Sequence, residues 1–404
     1  MARVAEGKQS VKLVVVSHKV CRRDAASSTG YCTDGGFPLQ MEALSQLFDA
    51  TTLVVPCEDR PACPGDSALT GRCMRVVPLR VPYGRGLARK LLLPMWALRN
   101  APTLLREVRA ADAVHAAVPG DVGTVGFVLA LILRKRLFVR HCGNWLVQKT
   151  AAERMWRWAM ERCAGGRNVM LATGGGKESP SPKNRHVQWI FSTSLWRKQM
   201  EECGVGERQP PPPGCADLVI ACRQDEEKGT GVVLRAMVEI LRRRPAAVLH
   251  VVGDGPSLQH FRNLAGELGV HEHVRFHGRL KQPQVLSVLK ECDLFCFPTA
   301  ASEGFPKVVL EALACGLPVI ATPVSVLPHL LEAGCGVVLK ERSACAVAEA
   351  VLGLLDDGDA YRNACVAAAA VARRYTLEAW RDAIGSRLRA AWGPLSDGDG
   401  PFDA

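Results

Sequence analysis

The sequence predicts an α/β protein built from two doubly wound, Rossmann-like domains facing across a cleft. Three observations carry this. Short β-branched runs alternate with longer helical patterns along most of the chain. The strand candidates of the second half are apolar on both faces, as strands covered by helices on either side must be. The rhythm breaks once, at four consecutive prolines at 210–213, and then restarts. A length of 404 residues is too great for one simple core and suits two ordinary domains. Ligands of such sheets bind at the carboxyl ends of the strands, which is why two facing sheets imply a cleft.

In the first half the strand candidates are 12–18, 51–57, 75–81, 113–118, 137–141, 169–173 and 187–191. Helical patterns lie between most of them, including FPLQMEALSQLF and a long stretch through GLARKLLLPMWALRNAPTLLREV that Pro94 should kink or divide. The segment 204–216, GVGERQPPPPGCA, lacks amide donors and favours an extended, semi-rigid conformation, so it marks the boundary between domains. The second half gives strands DLVIAC, AVLHVVGD, VRFHG, LFCFP, PVIAT and CGVVL with helices between. Leu258, Phe261, Leu264 and Leu268 are spaced along one helical face. Helix dominates from 343 to about Trp392, and a polar tail at 393–404 reads as disordered.

Composition excludes several classes. With 48% apolar and 23% charged residues the chain is neither disordered nor fibrous. The longest apolar run, Val125 to Leu133, ends at Arg134-Lys135-Arg136, well short of the roughly 18 residues of a membrane span. The first apolar stretch is too short for a signal-peptide core. The 16 cysteines form no CxxC pair and many lie inside apolar strand runs, as Cys222 and Cys296 do. These features predict a cytoplasmic chain with reduced thiols. Residues 1–208 carry 31 Lys and Arg against 17 Asp and Glu, whereas 209–404 carry 20 against 23, so the first half should meet something anionic. Basic apolar stretches at Arg85–Leu93 and Arg154–Trp158 suit either peripheral contact with an anionic membrane or a half-buried helix with a solvated basic face. Aromatic residues are few and no nucleic-acid module is recognisable, so no nucleic-acid partner is expected.

The segment 293–322, DLFCFPTAASEGFPKVVLEALACGLPVIAT, concentrates the candidate chemistry. A buried strand ends at Phe297-Pro298, and a helix is expected to open near Phe305. Glu303 precedes its first turn and Glu311 lies eight residues on, a little over two turns. Ser302, Gly304 and the leading helical amides offer an anion site. Two carboxylates so placed can grip hydroxyls at either end of an extended polyol phosphate. The spacing fits equally a favourable charge at a helix start and a solvated or core-edge acid. Arg223 and Lys228 follow the first strand of this half and can neutralise a diphosphate, although they also fit a solvated loop beside Asp225, Glu226 and Glu227. Gly253-Asp254-Gly255-Pro256 misses the dinucleotide fingerprint at Leu258, and GGGKES at 174–179 fails the phosphate-loop spacing.

The stretch EGFPKVVLEALACGLPVIAT resembles the Glu-x7-Glu motif of the group 1 (family 4) glycosyltransferases, which have the GT-B fold. The resemblance extends through CRQDEEKGTG, VVGDGP, VRFHGRL and ARRYTLEAW, covering 215–392. It implies an enzyme that moves a sugar, with retention of configuration, from a nucleotide-diphosphate donor to a glycan, glycolipid or lipid-linked acceptor. It implies no metal and no cofactor beyond the nucleotide sugar. Domain 1–208 would take the acceptor and 209–375 the donor, with a helix at 376–392 crossing back to the first domain. By the same resemblance Glu303 contacts the donor sugar and Glu311 the ribose. Gly304, Phe305, Lys307 and Val308 lie along the diphosphate and sugar, while Gly253 and Arg279 border the nucleotide. Lys228 matches the family's Lys-Gly pair, with Arg223 as its companion. Gly35 and Gly36 resemble the family's glycine-rich loop, and His141 at the end of LFVRH its cleft-facing histidine, beside the reading of a structural histidine. Other functions of the same architecture are a nucleotide-sugar epimerase and a non-catalytic nucleotide-sugar-binding protein.

Overall fold

The computed structural model describes residues 10–63, 65–84, 86–204, 208–301 and 303–395. The chain divides into two compact units, Met1–Ile190 with Glu378–Ala404, and Phe191–Leu377. The strands of the first unit are β1 (Lys12–Val16), β2 (Cys21–Arg23), β3 (Tyr31–Asp34), β4 (Ala50–Pro61), β5 (Asp66–Ala68), β6 (Met74–Leu79), β7 (Ala113–Val118), β8 (Arg136–His141), β9 (Asn168–Thr173) and β10 (Val187–Ile190). Parallel pairing gives the order β6-β4-β1-β7-β8-β9-β10, which starts in the middle and winds outward both ways. Each strand anticipated from the sequence is present. The short strands β2, β3 and β5 were not anticipated. They form a flap on the far end of β4, with β3 antiparallel to both of its neighbours.

Helices α1 (Phe37–Ser45), α2 (Gly86–Ala110), α3 (Asp121–Ile132) and α4 (Ala151–Cys163) connect these strands. Contrary to expectation, Pro94 does not divide α2, which runs on through both Pro94 and Pro102. Packing holds it: Trp96, Leu104 and Val108 of α2 join Phe127 of α3 and Trp156 of α4 over Val14, Val114 and Val139, on one face of the sheet. A capping box of Thr150 and Glu153 starts α4.

The second unit has α5 (Arg197–Cys203), β11 (Asp217–Ala221), α6 (Thr230–Arg243), β12 (Val248–Val252), α7 (Leu258–Glu267), β13 (Val274–Gly278), α8 (Gln282–Glu291), β14 (Leu294–Phe297), α9 (Lys307–Ala314), β15 (Val319–Ala321), α10 (Leu327–Leu331), β16 (Gly336–Val338), α11 (Ala344–Asp356) and α12 (Gly358–Ala372). Its sheet is wholly parallel, in the order β13-β12-β11-β14-β15-β16. Alternate residues of β11 enter two cores. Leu218 and Ile220 pack with α6, α7 and α11, and Val219 and Ala221 with α5, α8, α9, α10 and α12.

The boundary expected at residue 208 falls earlier, between Ile190 and Phe191. Leu195, Met200 and Cys203 already lie in the second unit's core. Arg208 then fastens the chain there, donating to the carbonyls of Cys292 at 2.7 Å and Cys315 at 2.9 Å. The proline run therefore lies inside a packed unit. The last helix, α13 (Leu377–Trp392), packs within the first unit from Glu378 onward. Trp392 Nε1 donates to the Arg167 carbonyl at 2.8 Å, and the Arg140 guanidinium sits 5.1 Å over the Trp380 ring. Of the tail at 393–404, residues 396–404 lie outside the described residues.

Candidate active site

The chain order of the second sheet reverses between β11 and β14, and the loops leaving these two strands bring together the candidate catalytic pair. After β11 the chain makes a 3-10 turn, Glu226–Lys228, ended by Gly229 at φ 99°. A side chain at Gly229 would put Cβ 2.4 Å from the Pro298 carbonyl, so glycine is required where the two loops touch. The loops are stitched together. The Ala300 amide donates to the Glu227 carbonyl at 2.7 Å, and Thr322 Oγ1 to the Thr299 carbonyl at 2.5 Å. Arg342 braces both, donating to the carbonyls of Pro298 at 2.8 Å and Glu226 at 3.0 Å. On this frame Lys228 Nζ meets Glu303 Oε1, both side chains about four-fifths withdrawn from solvent, at 22% and 16% exposure.

Helix α9 begins at Lys307, two residues later than the sequence suggested, because Pro306 occupies the N-cap in an extended conformation. It has no side-chain cap and no acid in its first turn, so its N-terminal dipole is not offset locally. Lys307 and Val308 are its first two residues. The Gly304 carbonyl accepts from Ser325 Oγ at 2.9 Å. The Phe305 ring is buried against Phe191 and Tyr375, so its side chain is core and only its backbone is left to meet a ligand. Ser302 lies outside the described residues.

The other predicted donor residues differ in their surroundings. Arg223 is 70% exposed and paired with Asp225 at 3.1 Å, touching neither Lys228 nor Glu303. Glu311 is buried within α9, where Oε1 accepts from Ser194 Oγ at 2.7 Å and Gln282 Nε2 at 2.9 Å. Burial raises its pKa against the pull of those hydrogen bonds. Gly253 is required by its own packing. Its amide donates to the Gly278 carbonyl at 2.7 Å, and at φ 115° a Cβ would lie 1.9 Å from the Cys222 carbonyl. Arg279 is exposed just past β13. Nothing in the sequence points to Arg342, nor to buried Gln224, whose amide donates to the carbonyls of Cys222 and Val252, both at 3.0 Å. A lone Arg or Gln in a loop has no diagnostic spacing.

In the first unit His141 closes β8 at its carboxyl end and is buried. Neither ring nitrogen has a hydrogen-bond partner among the described residues. Burial lowers its pKa to about 4, opposed weakly by the Gly143 backbone and the Glu153 charge. A neutral imidazole at a strand's carboxyl end can donate from one ring nitrogen and accept at the other, as binding a ligand hydroxyl needs. Gly35, at φ 72° with open space where a Cβ would be, and Gly36, the N-cap of α1, turn the chain from β3 into α1. Lys19 Nζ contacts Asp34 Oδ1 beside them.

Residues 209–371 match the family Glycosyl transferases group 1. The chain is 33% identical over 178 residues to the GDP-mannose-dependent monoacylated alpha-(1-6)-phosphatidylinositol monomannoside mannosyltransferase of Corynebacterium glutamicum, a match covering 42% of this chain and 45% of that protein. It thus spans less than half the length of that relative. Among solved structures, Anabaena HepE in complex with UDP and glucose superposes with a TM-score of 0.65 at 15% identity, over 95% of this chain and 100% of that one. A putative UDP-N-acetylglucosamine 2-epimerase from Listeria monocytogenes gives 0.60 at 15% identity, over 96% and 99%. At such identities the likeness shows the fold, two Rossmann-like domains of the GT-B class.

Proposed function

From the match of residues 209–371 to the group 1 glycosyltransferases, we propose that the chain moves a sugar from a nucleotide diphosphate to an acceptor hydroxyl with retention of configuration and without a metal ion. The observation that supports this most is the meeting of Lys228 and Glu303 at the switch point, ahead of the uncapped start of α9. The donor diphosphate lies against the Lys228 ammonium and the leading amides of α9, while Glu303 exchanges its contact with Lys228 for sugar hydroxyls. As the sugar C1–O bond to the diphosphate breaks, charge grows on the leaving oxygen where these donors are already oriented. The acceptor oxygen forms its bond to C1 on the same face, and its proton passes to the departing phosphate oxygen. Arg223, turned outward with Asp225, adds long-range charge. His141 and the Gly35-Gly36 turn serve the acceptor.

The acceptor is a glycolipid or lipid-linked glycan, and the first unit reaches it at an anionic membrane surface, on the cytoplasmic side. The relative in Corynebacterium glutamicum acts, by its name, on a phosphatidylinositol mannoside. Helices α2, α3 and α4 share one face of the first sheet and expose Leu91 (81%), Leu98 (76%), Ile132 (69%) and Trp158 (65%). Of the basic stretches, Trp156 is buried, whereas Arg154 and Trp158 face solvent and Arg85 lies outside the described residues. No helix among the described residues is long and apolar enough to cross a membrane. Exposed apolar side chains framed by cations favour lying on a surface of anionic lipid.

The test is transfer from nucleotide sugars by the parent, Lys228→Ala and Glu303→Ala chains. Each variant is expected to lose about a thousandfold or more in kcat/KM with the fold intact. Near-parental turnover in either refutes the assignment. Donor consumption is to be measured with and without acceptor: product formed without acceptor would favour the epimerase reading.

A further inference from the structure

A second feature of the first unit lies apart from the residues assigned above. Loop 174–186, edge strand β10 and helix α13 enclose a groove of about 830 Å³, a volume suited to a small molecule. Lys177, Arg185, His186 and Arg387 line it, with Glu178 the one acid among its lining residues. The Arg387 guanidinium is fixed in the wall by donation to the carbonyls of Ala383 at 2.7 Å and Trp189 at 3.0 Å, and its buried Nε has no partner. Burial alone acts on the Arg387 guanidinium, with no carboxylate beside it among the described residues. Trp189 forms part of the same wall, its Nε1 donating to the Glu178 carbonyl at 2.7 Å.

The glycines of the GGGKES run also find their reason here. A Cβ at Gly174 would come within 2.8 Å of the Trp189 ring, so the loop lies flat on that side chain and carries Lys177 to the groove. A water-facing groove lined by three cations, one of them fixed, and a single acid favours an anionic ligand. Guanidinium forks match phosphate oxygens in particular. We propose that this groove binds a small phosphate ester, its phosphate against Arg387 and Arg185 and its organic part against Trp189. The ester is either a free metabolite or the headgroup of a lipid. The proposal uses no part of the transferase reading and survives its failure.

The full chain is titrated with glycerol 3-phosphate and, separately, with dihexanoyl phosphatidic acid dispersed as monomer, following tryptophan fluorescence. Saturable binding is expected, with the signal abolished in Trp189→Phe. Affinity should fall at least tenfold in both Arg185→Gln and Arg387→Gln and stay unchanged in Lys228→Ala. Arg387 also ties α13 to Trp189, so Arg185, which is exposed and makes no hydrogen bond or ion pair among the described residues, reports on the ligand alone. Tighter binding of the short lipid identifies a headgroup, and equal binding a free ester. Absence of saturable binding by either probe overturns the proposal. So does parental affinity in Arg185→Gln, or loss of binding in Lys228→Ala, which would put the phosphate in the other unit.

Discussion

The two units share a doubly wound parallel sheet and little else. In the second, function is a matter of backbone: two loops at the switch point of the sheet are held by Gly229, Arg342 and Thr322, and the charged pair Lys228 and Glu303 rides on them. In the first, the proposed function rests on surface. Tyr83, Leu91, Met95, Leu98, Val128, Leu131, Ile132, Leu146, Val147, Met155 and Trp158 are exposed there, against Val338 and Val366 in the second. Holding a diphosphate sugar requires oriented dipoles, which a fixed loop geometry provides. Meeting a varied lipid or glycan requires apolar and basic area, which many sequences can supply. The family match falls within the second unit, at 209–371.

The contrast can be broken, beginning with its largest expected effect. Gly253→Ala forces a Cβ against the Cys222 carbonyl and should cost about 4 kcal/mol or more, whereas Gly35→Ala meets open space and should cost only about 1–2 kcal/mol for its positive φ. Urea melts of both variants measure this, and equal losses would show that the second unit's loops are not tightly fixed.

Acid should weaken the first unit next. Burial holds His115 at about 3 and His141 at about 4, while an unfolded histidine titrates near 6.5. Their folded pKa values are depressed, so the unfolded chain binds more protons once pH falls below about 6.5. Stability is complete above that value and is lost as pH falls toward 4, by about 2–4 kcal/mol at pH 5. Glu42, raised by burial, acts in the opposite direction over the lower part of that range. Thermal melts between pH 7 and 5 should show the loss, and a flat profile would contradict the burial of the two imidazoles.

A smaller effect, about 2 kcal/mol or thirtyfold, is expected when Leu98→Ser and Trp158→Ser are combined and binding to phosphatidylcholine vesicles containing phosphatidylglycerol is measured by sedimentation. Nucleotide binding should not change. Equal loss on neutral vesicles or unaltered binding would remove the membrane face. The smallest effect on stability is expected at Glu311→Gln. The amide oxygen can still accept from Ser194 and Gln282, and the charge that burial disfavours is gone. Stability should stay within about 1 kcal/mol of the parent, and a larger loss would make Glu311 a structural acid.

Much of the fold was legible because burial on both faces writes itself as continuous apolar runs: LVVV, AVHAAV and DLVIA each became a central parallel strand. The flap strands β2, β3 and β5 were illegible, being three or four residues long with no apolar period to announce them. The proline run misled because local stiffness marks where a helix cannot form, not where contacts change hands. The candidate pair, Lys228 and Glu303, was singled out through the resemblance to group 1 glycosyltransferases, since spacing alone fitted a helix-start charge and a solvated loop as well. Arg342 was not, since a brace to two carbonyls depends on where the chain returns after β16.

The most direct measurement is a crystal structure of the chain with an intact nucleotide sugar. The account predicts the diphosphate within about 3 Å of Lys228 Nζ and the first amides of α9, with Glu303 on the sugar hydroxyls. A donor bound with its phosphates away from Lys228 and α9 would contradict it.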